Sequence, residues 1–85
     1  AIIIESLREA KLAFKKGERN AADLKQIVVN KLKAEPLADL DYVEIVNSET
    51  LEPIAKIGDS ETLICTAVNF AGVRLIDNVI LNRKQ

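Results

Sequence analysis

Apolar positions along the chain follow two different periods, and the change falls at Pro36. Before it, Ile3, Leu7, Ala10 and Phe14 recur at spacings of four, three and four, which places them on one helical face. Lys11, Lys15 and Lys16 sit in the last turns, where positive charge suits the helix dipole, and Gly17 supplies a stop. Asn20 is placed to cap a second helix, with Asp23 three residues later in the arrangement of a capping box. Leu24, Ile27, Val28 and Leu32 give that helix a single apolar stripe, and Pro36 ends it. The short link from Gly17 to Asn20 predicts an antiparallel helix pair.

After Pro36 the period shortens to two. Residues 41–46 read as a strand with Val43 and Ile45 on one face and Tyr42, Glu44 and Val46 on the other. Asn47-Ser-Glu-Thr50 is a polar turn with Asn47 or Ser48 as its cap, and Leu51, Pro53 and Ile54 are expected to tuck a loop against the core. Residues 62–70 are apolar on both faces, the pattern of a central strand. Ala71-Gly72 makes a tight turn, and the chain returns from Val73 through about Leu81 as the antiparallel partner. The predicted fold class is α+β: two N-terminal helices packed on a three-stranded, mostly antiparallel sheet, forming one domain over residues 1–85.

Composition agrees with that picture. Eighty-five residues make one domain, and 48% apolar content with three aromatics suits an aliphatic core. The net charge is −1, but it is unevenly spread. Residues 1–33 hold eight basic and four acidic side chains, a balance of +4, whereas residues 34–85 hold four basic and nine acidic, a balance of −5. Two solvated faces that attract each other is the plain reading; a basic helical face for an anionic partner is the other.

Candidate chemistry is sparse. The chain has no histidine, and its one cysteine, Cys65, lies in an apolar run where a thiol serves as a small hydrophobe. Asp41 and Glu44 are three apart on a strand and so are expected on opposite faces, which argues against an acid–base pair. The glycines stand singly at 17, 58 and 72, so no phosphate loop is present, and neither a Gly-x-x-Gly loop nor paired strand aromatics supports RNA binding. Ala1-Ile-Ile-Ile4 is too short for a membrane span or a signal peptide, which points to the cytoplasm. The run enters helical periodicity with no lead-in, as if cut from a longer chain.

Arg74, Asp77 and Asn78 stand out because they interrupt a strand that otherwise reads as buried, where charge is costly unless paired. Alternation puts Arg74 and Asn78 on one face and Asp77 on the other. They are expected to satisfy partner groups where the strand meets its neighbours; an inter-domain contact and direct substrate binding are the alternatives.

Arg74-Leu-Ile-Asp-Asn78, preceded by the apolar strand Leu63–Val68, resembles the C-terminal end of the pantoate–β-alanine ligase (pantothenate synthetase) family. Asp41-Tyr-Val-Glu-Ile-Val-Asn-Ser-Glu-Thr-Leu-Glu-Pro53 resembles the same family's strand and turn, in the same order and at a compatible distance. Two departures are an Asn at 47, where the family more often has Asp, and Ala71-Gly72-Val73 in place of Gly followed by Lys-Thr. The resemblance implies an ATP-dependent, AMP-forming ligase that joins pantoate to β-alanine through a pantoyl-adenylate, with magnesium assisting. It further implies that a nucleotide-binding domain N-terminal to this segment carries the chemistry, that this segment covers the cleft and is inactive alone, and that the protein is a homo-oligomer. No catalytic, cofactor-binding or metal-ligating residue carries over to these positions. The alternative from the residues themselves is a free-standing interaction module, motivated by the charge asymmetry and an apolar surface left open along the first helix.

Overall fold

The computed structural model describes residues 1–83. Two helices, α1 (Ile2–Lys15) and α2 (Ala21–Lys33), precede three strands, β1 (Ala38–Asn47), β2 (Thr62–Phe70) and β3 (Val73–Asn82). The strands form an antiparallel meander in the order β1-β2-β3, with both helices on one face. The α+β architecture expected from the two periods is the one observed.

The helix boundaries follow from local chemistry. α1 begins at Ala1 without a side-chain cap, and Ser6, fully buried within it, satisfies its hydroxyl by donating to Ile3 O at 2.6 Å. Gly17 adopts φ +117°, a conformation that favours glycine, and turns the chain back. Arg19 then stacks its guanidinium 4.0 Å from the Phe14 ring centroid and donates to Phe14 O at 2.6 Å, closing the helix turn. Asn20 caps α2 as expected, its Oδ1 accepting the Ala22 N–H at 2.9 Å. The capping box does not form with Asp23. Instead Glu18 Oε2 accepts the Asn20 N–H at 3.2 Å, because Glu18 precedes the cap and already folds back onto the turn.

The core lies between the helices and the covered sheet face. Leu7, Leu24, Val28, Ile64 and Val68 are fully buried there, and Val43, Ile45 and Leu81 close its edges. At roughly 25 cal/mol per Å² of apolar area removed from water, this layer is the main source of stability. Buried Thr66 donates its hydroxyl to Tyr42 O at 2.8 Å, which fastens β2 to β1.

The loop after β1 docks differently from expectation. Asn47 Oδ1 accepts the Glu49 and Thr50 N–H groups at 2.8 and 3.1 Å, so an Asp at this position would accept the same two bonds. Ile54 packs against the core as expected, but Pro53 is exposed, Leu51 is 65% exposed at φ +63°, and Ile57 is the loop residue that is buried. The cause is backbone pairing: Ile54 N–H donates to Ile45 O, Ile57 N–H to Arg19 O and Ala21 N–H to Ala55 O, each at 2.9 Å. With Asn47 N–H donating to Glu52 O, these bonds lay residues 52–54 along the outer edge of β1 and residues 55–57 along the turn between the helices, and Leu51 faces outward.

The second departure concerns β3. Its sequence reads as buried, yet Val73, Leu75 and Ile76 are 59%, 40% and 63% exposed. Only the far half, at Val79 and Leu81, packs on the helical layer. β3 is an edge strand, and its near half runs out along a hairpin whose other face has no second layer.

Candidate functional site

Strand pairing defines the uncovered sheet face. Glu44 lies opposite Cys65 and Cys65 opposite Asn78, while Tyr42 pairs with Ala67 and Ala67 with Ile76. Arg74 lies opposite Asn69 in the same face, and Asp77, opposite the core residue Thr66, belongs to the helix side. The alternation expected for Arg74, Asp77 and Asn78 therefore holds, although their burial does not.

The expected placement of Asp41 is corrected by a bulge. It falls between Leu40 and Tyr42 and breaks the alternation of β1, so Asp41 does not lie opposite in sense to Glu44. Its Oδ2 instead accepts from Arg74 Nη1 at 2.5 Å, across the uncovered face. Both side chains are nearly half exposed, so this is a solvated fastener between the outer strands, not a buried ion pair. Asp77 accepts the Asn78 backbone N–H at 2.8 Å and Asn78 is exposed. The three polar residues thus do separate things, and they do not converge. The signal for the bulge was the spacing of three between Leu40 and Val43 where a regular strand needs two.

Cys65 is half-buried on the uncovered face, and desolvation, followed by the nearby Glu44 charge, raises its pKa above the ordinary 9.0. A thiol shifted in that direction is a poorer nucleophile at neutral pH. Glu49, Asp59 and Glu61 line a polar hollow with Asn47 and Ser60, where Ser48 Oγ donates to Glu61 at 3.1 Å. Among the described residues, no three His, Cys, Asp or Glu side chains converge as metal ligands. A triphosphate needs a cradle of backbone N–H groups with countercharge. The Ala71-Gly72 turn is flanked by exposed Val73, and the cations Arg8, Lys11 and Lys15 sit on the outside of α1. Among the described residues, neither such a cradle nor a cluster of metal-ligating side chains is formed.

An apolar crevice of about 280 Å³ opens between the start of α1 and the hairpin tip, lined by Ile2, Ile3, Phe70 and Leu75. The expected attraction between a basic and an acidic half is not what the described ion pairs show. Lys31 meets Glu9 at 3.4 Å between the two helices, and Arg74 meets Asp41 within the sheet, so each pair stays inside its own half. No described helix is long and apolar enough to cross a membrane.

The fold and these surfaces define a small two-layer α+β module with one sheet face uncovered and no three convergent metal-ligating side chains among its described residues. The family model described as pantoate-beta-alanine ligase matches residues 1–80, and the chain belongs to that family. Pantothenate synthetase of Pelotomaculum thermopropionicum is 45% identical over 82 residues, which is 96% of this chain and 29% of that protein. The Clostridium botulinum (strain Langeland) pantothenate synthetase is 47% identical over 77 residues, covering 91% and 27% respectively. The crystal structure of pantothenate synthetase from Thermus thermophilus superposes with a TM-score of 0.85 at 26% identity, over 96% of this chain and 29% of that one. The chain therefore spans less than a third of the length of these relatives.

Proposed function

We propose that the chain serves as the small covering unit of a longer ligase that condenses pantoate with β-alanine at the expense of ATP. The reaction proceeds through a pantoyl-adenylate with loss of pyrophosphate, after which β-alanine displaces AMP. The observation that carries this reading is the family match over residues 1–80 together with the superposition on part of a pantothenate synthetase. The donor set described above favours placing ATP, magnesium and every reacting group in a nucleotide-binding domain elsewhere in the longer protein. The same reading makes the protein a cytoplasmic homo-oligomer whose smaller unit closes over bound pantoate and β-alanine. Its contribution is then to exclude water and to hold the cleft shut.

Supplying the purified chain with pantoate, β-alanine, ATP and magnesium should yield no pantothenate, whereas clear turnover by the chain alone would overturn the assignment. A second reading, a free-standing interaction module, draws on the exposed apolar residues of β3 and the cations of α1. Coding sequence upstream of Ala1 separates the two. A long nucleotide-binding domain supports the ligase unit, and an immediate start codon supports the module.

A further inference from the structure

The two edges of the sheet are treated differently. Along β1 the outer edge is taken up at its far end, Ile45–Asn47, by residues 52–54, through Asn47 N–H to Glu52 O, Ile54 N–H to Ile45 O and the Val46–Pro53 bridge. Along β3 no described segment pairs with the outer edge. Such an edge presents a row of backbone donors and acceptors, and proteins usually blunt it with proline, lysine, a covering loop or a short strand. β3 is ten residues long and carries Val73, Leu75 and Ile76 exposed; it has no proline or lysine, its charges are Arg74 and the helix-side Asp77, and its pairing with β2 is irregular only at the far end.

The helical layer beside that edge is basic. α2 packs over β1 and α1 over β3 and β2, so the side of α1 away from α2 overhangs the β3 edge. Glu9 marks the α2 side through its pair with Lys31. At 3.6 residues per turn, Arg8, Lys11 and Lys15 lie about 100–160° around the helix from Glu9, which is the overhanging side. They line a shallow groove of about 320 Å³ with Leu12, itself 54% exposed. None of the three has an ion-pair partner among the described residues. The one acid of β3 on that side is Asp77, half-buried and bonded to the Asn78 N–H.

We propose that β3 accepts an added strand: an extended polypeptide segment whose side chains alternate between carboxylate, beneath the basic stripe of α1, and aliphatic, beside Ile76 on the uncovered face. Backbone pairing supplies the affinity, and charge on alternate positions supplies the selection, as in strand addition generally. Asp77 sets the register. Its neighbour on the incoming strand must be uncharged, since like charges directly opposite are destabilising, so the carboxylates fall opposite Leu75 and Val79. A second copy of this chain fits less well. Pairing β3 with β3 about a two-fold axis normal to the sheet brings two α1 basic stripes to the same side of the new junction. Centring that pair on Arg74 or Asp77 also sets like charges opposite each other. The inference concerns a surface, not the ligation chemistry, and it stands whether or not the ligase reading holds.

The probe is the blocked peptide Val-Glu-Val-Thr-Val-Glu-Val, with a control in which both Glu are Lys. Binding to the chain is read by fluorescence anisotropy, and its place by amide hydrogen exchange. The Glu peptide is expected to bind at least tenfold tighter than the Lys peptide, to slow exchange within residues 73–79, and to weaken as salt rises. The double variant Lys11→Glu/Lys15→Glu, at one half-buried and one exposed helix position, should reverse the preference while keeping the helical circular dichroism. Equal binding of the two peptides, protection elsewhere, absence of binding, or indifference to the double variant would overturn the proposal. So would sedimentation showing a dimer whose β3 amides are protected without any peptide.

Discussion

The two faces of the sheet are built by the same three strands and differ in what lies over them. On the covered face, Ile64, Thr66 and Val68 of β2 are wholly removed from water beneath α1 and α2. On the other, Ile76 is 63% exposed beside an Arg74–Asp41 pair in solvent, although Val46 and Ala67 are buried there too. Apolar content therefore does not by itself bury a residue; the helical layer does so across one face, and on the other only central positions such as Ala67 are covered by their neighbours. The covered face folds the chain, and the uncovered face with its β3 edge is where the proposed strand addition would take place.

Truncation should separate the two faces most sharply. Leu24→Ala, at a fully buried site, is expected to cost about 3 kcal/mol in urea unfolding, as large-to-small core changes do. Ile76→Ser should change stability by less than about 0.5 kcal/mol, within the usual range for exposed positions. Comparable losses at both positions would mean that the uncovered face is part of the core. A smaller effect is expected from Asn20→Ala, which removes the accepted Ala22 N–H bond and should cost about 1 kcal/mol of thermal or urea stability.

Turn and fastener changes lie at the low end. Ala71 sits at φ +50°, a strained region for a residue with a Cβ, so Ala71→Gly should stabilise by about 0.5 kcal/mol after the entropy cost of glycine. The Arg74–Asp41 pair is exposed, and a double-mutant cycle should give a coupling below about 1 kcal/mol that shrinks further in 1 M salt. Cys65 should tune the alkaline limit. Because its folded pKa is raised, its contribution is complete below the unfolded value near 9.0 and is lost as pH rises through the folded one. In a pH titration of stability, Cys65→Ala should flatten that alkaline decline.

Much of the architecture was legible in the sequence because helical and strand periods are local. The stripe Ile3, Leu7, Ala10 and Phe14 is buried as its spacing requires, Asn20 caps α2, and the hairpin turns at Ala71-Gly72. Three details escaped because they depend on tertiary context. Glu18 won the Asn20 N–H from Asp23 by folding back from the preceding turn. Ile57 entered the core in place of Leu51 because backbone pairing with β1 and with the helix turn fixed the loop's path. The exposure of Val73–Ile76 could not be read from an apolar run, since the same run would suit a strand covered on both faces. The candidate site was read least well: Asp41 changed faces through a one-residue bulge, and its partner Arg74 was found in solvent where burial was expected.

Residue-resolved native-state hydrogen exchange tests the division between folding face and contact edge most directly. The paired amides of β2 and the core turns of α1 and α2 should exchange only through global unfolding, while outward amides of Val73–Asn78 exchange faster by several orders of magnitude. Uniform protection across all three strands in the isolated chain would contradict that division.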